Sequence, residues 1–201
     1  MGRTPSTCKH CRREREKLFL KGERCYTGKC SVERRKYPPG QHGAATVRLT
    51  EYAIRLREKQ KAKRIYGLVE RQFRKYFELA SKKAGVTGEV LLQLLEGRLD
   101  NVVFRLGFAP SRQAARQIVR HGHVNVNNRR VNIPSYQAKV NDLIVVKSKF
   151  LDARREALKE YTLPSWLSFD ENFVGKIVKI PEGEDLEKLI QVSLIVEHYS
   201  K

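Results

Sequence analysis

Four cysteines, Cys8, Cys11, Cys25 and Cys30, stand before residue 31, and none follows in the rest of the chain. Two residues separate the first pair, thirteen lie between the pairs, and four separate the second. Two tight pairs across a spacer are what tetrahedral ligation by thiolates asks of a polypeptide, each pair forming a knuckle whose sulfurs converge on one ion. Gly28 and Lys29 in the second loop, with Lys9 and His10 in the first, supply turn chemistry and a positive setting that favours thiolate over thiol. Zinc is the leading metal and an iron–sulfur cluster the alternative, since both accept four thiolates. A disulfide framework is the competing reading, but it suits small secreted domains, and the first residues lack the apolar core of a secretory signal. The metal's role is structural. Fifty residues with a net charge of +9 and few large apolar side chains bury too little surface to fold unaided.

A second constellation lies at Ser111–Asn127. Ser111 has the chemistry of a helix N-cap. Ala114, Ala115, Ile118 and Val119 share one face at helical spacing, while Arg112, Arg116 and Arg120 recur at i, i+4, i+8 on a neighbouring stripe expected to stay in solvent. Gly122 suits a helix stop, and Val124 and Val126 alternate as in a half-buried strand. Residues 111–150 hold eight Lys/Arg against one acid, Asp142. Surface helices ordinarily interleave opposite charges at i, i+4. This segment repels itself unless something negative lies against it.

The whole chain of 201 residues carries 41 Lys/Arg and 22 Asp/Glu, a net charge of +19. Such a field recruits polyanions and makes binding steeply salt-dependent. The excess sits in the first 150 residues, whereas 151–201 reverse to −3, which suits a protein contact or a structural role. No apolar run approaches the ~20 residues of a membrane span, so no membrane partner is expected.

These groups must be positioned by a mostly helical scaffold. Pro38-Pro39-Gly40-Gln41-His42-Gly43 is a turn-rich linker. Thr50 can cap a helix reaching about Tyr66, with Gly67 as its stop. A second helix near 70–83 carries the stripe Phe73, Tyr76, Phe77, Ala80, at core spacing rather than as a base-stacking platform. Thr87 is expected to cap a third helix, and a fourth starts near Arg98 and ends at Gly107. Short strands are expected at 131–133, 143–147, 166–169, 175–180 and 192–198, with a helix at 150–160. The fold class is α+β: a metal-stapled N-terminal segment (1–45), a helical part (46–98), a helix–strand module (99–165, core 111–131) and a short-stranded C-terminal part (166–201).

One string argues for catalysis. Gly97-Arg98-Leu99-Asp100 resembles the signature around the catalytic aspartate of one class of pseudouridine synthases. In those enzymes the small RNA-binding module precedes the catalytic domain, whereas here the string precedes the module. Some fifty residues after position 150 are too few for such a domain, so Asp100 is read as a helix-start carboxylate. The histidines form no hydrolytic pattern, and no P-loop is present. The chain is read as a non-enzyme.

The residues also carry a broader resemblance. Ser111–Val131 is similar to the RNA-binding module named after the small-subunit ribosomal protein four family. Further strings extend the resemblance over essentially the whole chain: Pro39-Gly40-Gln41-His42-Gly43, Leu56-Arg57-Glu58-Lys59-Gln60-Lys61, Arg64-Ile65-Tyr66-Gly67, Glu70-Arg71-Gln72-Phe73, Leu95-Glu96-Gly97-Arg98-Leu99-Asp100-Asn101 and the ending Val196-Glu197-His198-Tyr199-Ser200-Lys201. It implies a bacterial-type or organellar-type constituent of the small ribosomal subunit, otherwise cytoplasmic. Such a protein is a primary binder of small-subunit ribosomal RNA at a multi-helix junction, nucleating assembly and supporting translational accuracy. Carried over by position, Arg112, Arg116 and Arg120, with Arg55, Lys59, Lys63, Arg71 and Arg74, are the implied RNA contacts. The C-terminal part corresponds to the region touching the neighbouring small-subunit ribosomal protein five. Two departures stand out. Asn127-Asn128 replaces the usual Asn-Gly turn, so Asn128 must take the positive φ. Where family members carry several bases near the point at which messenger RNA enters, this chain has Ala45 and Thr46, leaving Arg48.

Overall fold

The computed structural model describes residues 7–45, 48–152, 154–159 and 161–200. The chain divides into two compact units, one of residues 1–73 with 189–201 and one of residues 74–188.

The first unit is helical. Helix α1 (Thr7–Glu14) is followed by a 3-10 turn (Gly22–Tyr26), α2 (Ser31–Arg34) and the long α3 (Glu51–Ile65). Thr50 caps α3 as expected, its hydroxyl accepting from Ala53 N–H at 3.3 Å. Helix α4 (Glu70–Ser81) begins in this unit, with Phe73 fully buried. The expected strand at 192–198 is instead α10 (Val192–Tyr199), which packs on α3. The run is rich in Val and Ile, which suggests a strand. Its apolar residues nevertheless recur at 192, 195, 196 and 199, a helical stripe whose Ile195 is fully buried.

Carboxylates tie these basic helices together. Lys61 pairs with Glu16 at 3.1 Å and Glu58 at 2.9 Å, and Glu58 also accepts from Gln191 N–H at 2.7 Å. Glu70 accepts from Lys59 at 2.7 Å, Lys63 at 3.0 Å and the Tyr199 hydroxyl at 3.0 Å. Burial would raise the Glu70 carboxyl, but those three hydrogen bonds and the Lys59 charge outweigh it. They hold the group at about 2, against an ordinary 4.5.

The second unit packs α5 (Thr87–Glu96), α6 (Leu99–Arg105) and α7 (Arg112–Arg120) with an antiparallel five-stranded sheet. Its strands are β1 (Val124–Val126), β2 (Arg129–Val131), β3 (Leu143–Val146), β4 (Leu167–Phe169) and β5 (Gly175–Ile177), in the order β2-β1-β3-β5-β4. Helices α8 (Ser148–Asp152) and α9 (Arg155–Lys159) stand where one helix was expected. A single core joins Leu99, Val102, Ile118, Val124, Ile144 and Trp166. Ser111 caps α7 by accepting from Ala114 N–H at 3.2 Å. Thr87 does not cap α5; it is already the first helical residue, and Val86 holds the cap position.

Val126 pairs with Arg129, leaving Asn127 and Asn128 as a two-residue hairpin turn at φ 48° and 64°. Asparagine tolerates this left-handed backbone because its side chain can bond locally. Asn127 also ties the turn to β3: its Nδ2 donates to Asp142 at 2.8 Å and its Oδ1 accepts from Leu143 N–H at 2.9 Å.

Because Glu70 is held below its ordinary value in the folded state, its contribution is complete above about pH 4.5 and disappears as pH falls toward about 2. Urea titrations of wild type and Glu70→Gln should show a stability gap above that range which closes on acidification. A gap constant with pH would contradict the assigned role.

Candidate nucleic-acid interface

The string singled out for catalysis is a structural lock. Arg98 and Asp100 are 1% and 4% exposed and form a bidentate pair, Nε to Oδ1 at 3.0 Å and Nη2 to Oδ2 at 2.8 Å. Arg98 Nη1 also donates to the Tyr76 hydroxyl at 2.9 Å. Burial alone would lower the Arg98 pKa; the bonds and charge of Asp100, with Tyr76, reverse this and hold it above its ordinary value. Backbone bonds from Leu99 N–H to Tyr136 and from Ala138 N–H to Gly97 hold the surrounding chain. An aspartate enclosed in this way has no open face for a substrate.

The arginine stripe of α7 does not stay out as a row. Arg112 is largely buried. Its Nη2 donates to Glu187 at 2.6 Å and its Nε to Asn101 at 2.8 Å, and its guanidinium lies 4.7 Å from the Phe104 ring centroid. Fully buried Glu96 accepts both arms of Arg105, at 2.9 and 2.8 Å, and Asn101 at 2.6 Å. Arg116 lies 3.5 Å from Asp100. The acids that quiet Arg112 and Arg116 come from outside residues 111–150, where a local charge count does not look. Of the three, Arg120 alone is exposed.

What the module turns outward is nevertheless strongly basic. Arg120, Arg129, Arg130, Lys139, Lys147 and Lys149 are exposed. Asp142, the one acid of the segment, is buried and accepts from Asn127 and from Lys139 N–H at 2.8 Å. The segment's one negative charge is thus engaged inside, while six of its eight positive charges face solvent. Arg129 and Arg130 lie outside the set of contacts that the family resemblance implies. The signal was legible, two bases directly after the Asn-Asn turn on an edge strand. Arg130 donates to the His121 carbonyl at 3.3 Å, beside Gly122, whose φ of 69° closes the helix.

In the first unit and α4, most nominated cations have internal partners. Arg55 bonds Glu197 at 2.8 Å and Glu51 at 3.2 Å, Lys59 and Lys63 share Glu70, and Arg74 bonds Glu78 at 3.2 Å. Arg71 is exposed. The N-terminal segment adds exposed Arg13, Arg15, Arg34, Arg35 and Lys36.

Cys8, Cys11, Cys25 and Cys30 are all free thiols and line one small cavity with Leu20 and Lys21. Lys21 N–H donates to Cys25 Sγ at 3.4 Å. Burial pushes the Cys11 thiol up, against a hydrogen bond from the Leu18 backbone; the neighbouring cysteines add to the upward push. Among the described residues, no group of three or more His, Cys, Asp or Glu stands in a ready metal-ligating arrangement. No helix among them is long and apolar enough to cross a membrane.

A capped helix, glycine stop and hairpin with exposed basic side chains suit an RNA-binding module of the S4-domain class, and a family model described as the S4 domain matches residues 97–144. A model described as the ribosomal protein S4/S9 N-terminal domain matches residues 3–96. The chain is 56% identical to small ribosomal subunit protein uS4 of Acetivibrio thermocellus and of Dictyoglomus turgidum, over 98% of each chain. It is 57% identical to the protein of that name from Thermus thermophilus, over 96% of each. The chain belongs to the uS4 family of small ribosomal subunit proteins. Its relatives are named as ribosomal proteins and not as enzymes.

Replacing Asp100 by Asn leaves Arg98 buried without its counter-charge. That should cost about 3–5 kcal/mol of stability, read by chemical denaturation. Unchanged stability would contradict the lock.

Proposed function

We propose that this chain is a structural, non-catalytic component of the small ribosomal subunit that grips a multi-helix junction of its ribosomal RNA, nucleates assembly there and supports translational accuracy. The observation that carries this reading is the set of six exposed cations in the module, with their single local acid engaged inside. Its whole-chain likeness to proteins named for that subunit supports it further. Folded RNA is read mainly by shape, phosphates and 2′-hydroxyls, which suits charge spread over an irregular surface. Arg120, Arg129 and Arg71 are the foremost contacts on this reading. Arg55, Lys59, Lys63, Arg74, Arg112 and Arg116 serve by exchanging internal carboxylates for phosphate, or by holding the scaffold.

The acid-rich C-terminal part, with Asp170, Glu171, Glu182 and Glu184 exposed, suits a contact with a basic surface of the neighbouring ribosomal protein five. Arg48 is exposed and available to messenger RNA; Thr46 lies outside the described residues. The site of action is the cytoplasmic ribosome, as the bacterial sources of the relatives suggest.

By donor type the four cysteines suit a structural zinc ion, with an iron–sulfur cluster as the alternative, although the described residues do not hold them in a ready ligating arrangement. None of the four is in a disulfide, all line the same cavity, and a backbone N–H already bonds one sulfur. Bound there, a metal would supply crosslinks that the modest core of this unit lacks.

Footprinting on small-subunit ribosomal RNA should show protection of one junction, with affinity falling steeply in salt. In Arg120→Glu with Arg129→Glu the log–log salt slope should be shallower by about two. Equal coating of any RNA would overturn the assignment. Chelation, or Cys25→Ser, should expose residues 7–45 to protease while the second unit stays protected; proteolysis unaffected by either would rule out the metal staple.

A further inference from the structure

A cavity of about 500 Å³ opens in the first unit between the end of α1 and the Pro38–Ala45 loop. That is within the ~300–1,000 Å³ usual for small-ligand sites. Three arginines line it, Arg13, Arg15 and Arg57, against one acidic residue, Glu14. Glu14 is not open to a ligand as a bare charge. Its side chain is 3% exposed, bonded to Arg64 and 3.8 Å from Arg57. Pro39 and Leu49 add apolar wall, and Gln41 an amide with both donor and acceptor.

Two features indicate that the cavity is built. The first is the backbone of Arg15. Helix α1 closes with Arg15 N–H to the Arg12 carbonyl and Glu16 N–H to the Cys11 carbonyl, both 3.2 Å. This is the double-bonded C-terminal motif in which the left-handed position is usually glycine. Here it is arginine, at φ 58°. A long side chain held at an unfavourable backbone position points to a role for that side chain. The second is the loop itself. Arg12 donates to the Tyr37 carbonyl at 3.0 Å and to the Pro38 carbonyl at 3.4 Å, fixing the start of the loop. The loop then folds back so tightly that a Cβ on Gly43 would lie 2.0 Å from the Pro38 carbonyl oxygen. A fixed loop presents a preformed wall and lowers the ordering cost of binding.

We propose that this cavity receives a single unstacked nucleotide of the bound RNA, its phosphate on the guanidiniums of Arg13, Arg15 and Arg57 and its base against the Pro39–Leu49 wall. Guanidiniums match phosphate oxygens in geometry and charge. The apolar wall and the amide suit a flat ring with a polar edge, which inorganic phosphate lacks. The proposal rests on the RNA-binding reading above and adds to it a defined nucleotide subsite.

The test uses the full chain in four forms: wild type, Arg15→Gly, Arg13→Ala and Arg120→Ala. Arg15→Gly should melt at the same or a higher temperature, because glycine relieves the left-handed backbone, yet bind small-subunit ribosomal RNA about tenfold more weakly. Arg13→Ala should weaken binding without altering melting. By nuclear magnetic resonance, adenosine 5′-monophosphate should shift the Gln41, His42 and Gly43 amides of wild type, inorganic phosphate should shift them less, and Arg15→Gly should abolish the response. If wild type protects its RNA junction, Arg120→Ala weakens binding, and both cavity variants bind like wild type, the subsite is wrong while the function stands. Equal responses to phosphate and the mononucleotide would overturn the base contact. A lower melting temperature for Arg15→Gly would overturn the backbone argument. Should wild type show no preference for ribosomal RNA, the function fails first, and the mononucleotide titration still judges the cavity.

Discussion

Self-repulsion among 41 basic side chains is the constraint that the architecture answers. Only 22 carboxylates are available, and many of them are drawn inward. Glu96 and Asp100 are buried against Arg105 and Arg98, Glu14 against Arg64, and Asp142 against the Asn127 turn. Each buried carboxylate neutralises a cation that the helices need for packing or orders a turn that the sheet needs for register. The consequence is polarity. Negative charge is enriched inside and uncompensated positive charge outside, as a polyanion-binding surface requires.

Burying charge is weak evidence for stability, since desolvation opposes the Coulombic gain. It is stronger evidence for specificity of arrangement. The Arg98–Asp100 pair bonds Tyr76 on α4, and the chain around it bonds Tyr136 and Ala138 beyond the hairpin. The Glu96, Asn101, Arg105, Arg112 and Glu187 network joins α5, α6 and α7 to the segment after β5. A mispacked alternative would strand several ionised groups without partners, so the polar network selects one assembly of the same apolar faces.

Legibility varied with how local each signal was. The Ser111 and Thr50 caps, the Gly122 stop and the positive φ of Asn128 were readable because cap and turn chemistry acts over three or four residues. The Thr87 cap failed because the helix starts one residue earlier, within the usual latitude of helix ends. At 192–198 the β-branched composition favours a strand, and the helical stripe prevails only through packing on α3. For the arginines the error had one cause. A charge count within residues 111–150 cannot include Glu96, Asp100 or Glu187, which fold onto α7 from either side in sequence.

The amino-acid sequence by itself determined that the chain is basic in its first 150 residues, that its helices begin and end near particular caps and glycines, and that it resembles a ribosomal RNA-binding family. The first two follow from composition and from contacts spanning a few residues, and the third from whole strings of residues similar to that family's. Tertiary structure alone decided which cations remain outward and which are neutralised, that Asp100 is a buried counter-ion, and that Arg13, Arg15 and Arg57 surround one cavity with the Pro-Gly loop. The physical reason is that electrostatic partnership depends on distance in space, and only the fold brings residues 14 and 64, 112 and 187, or 15 and 57 into one neighbourhood.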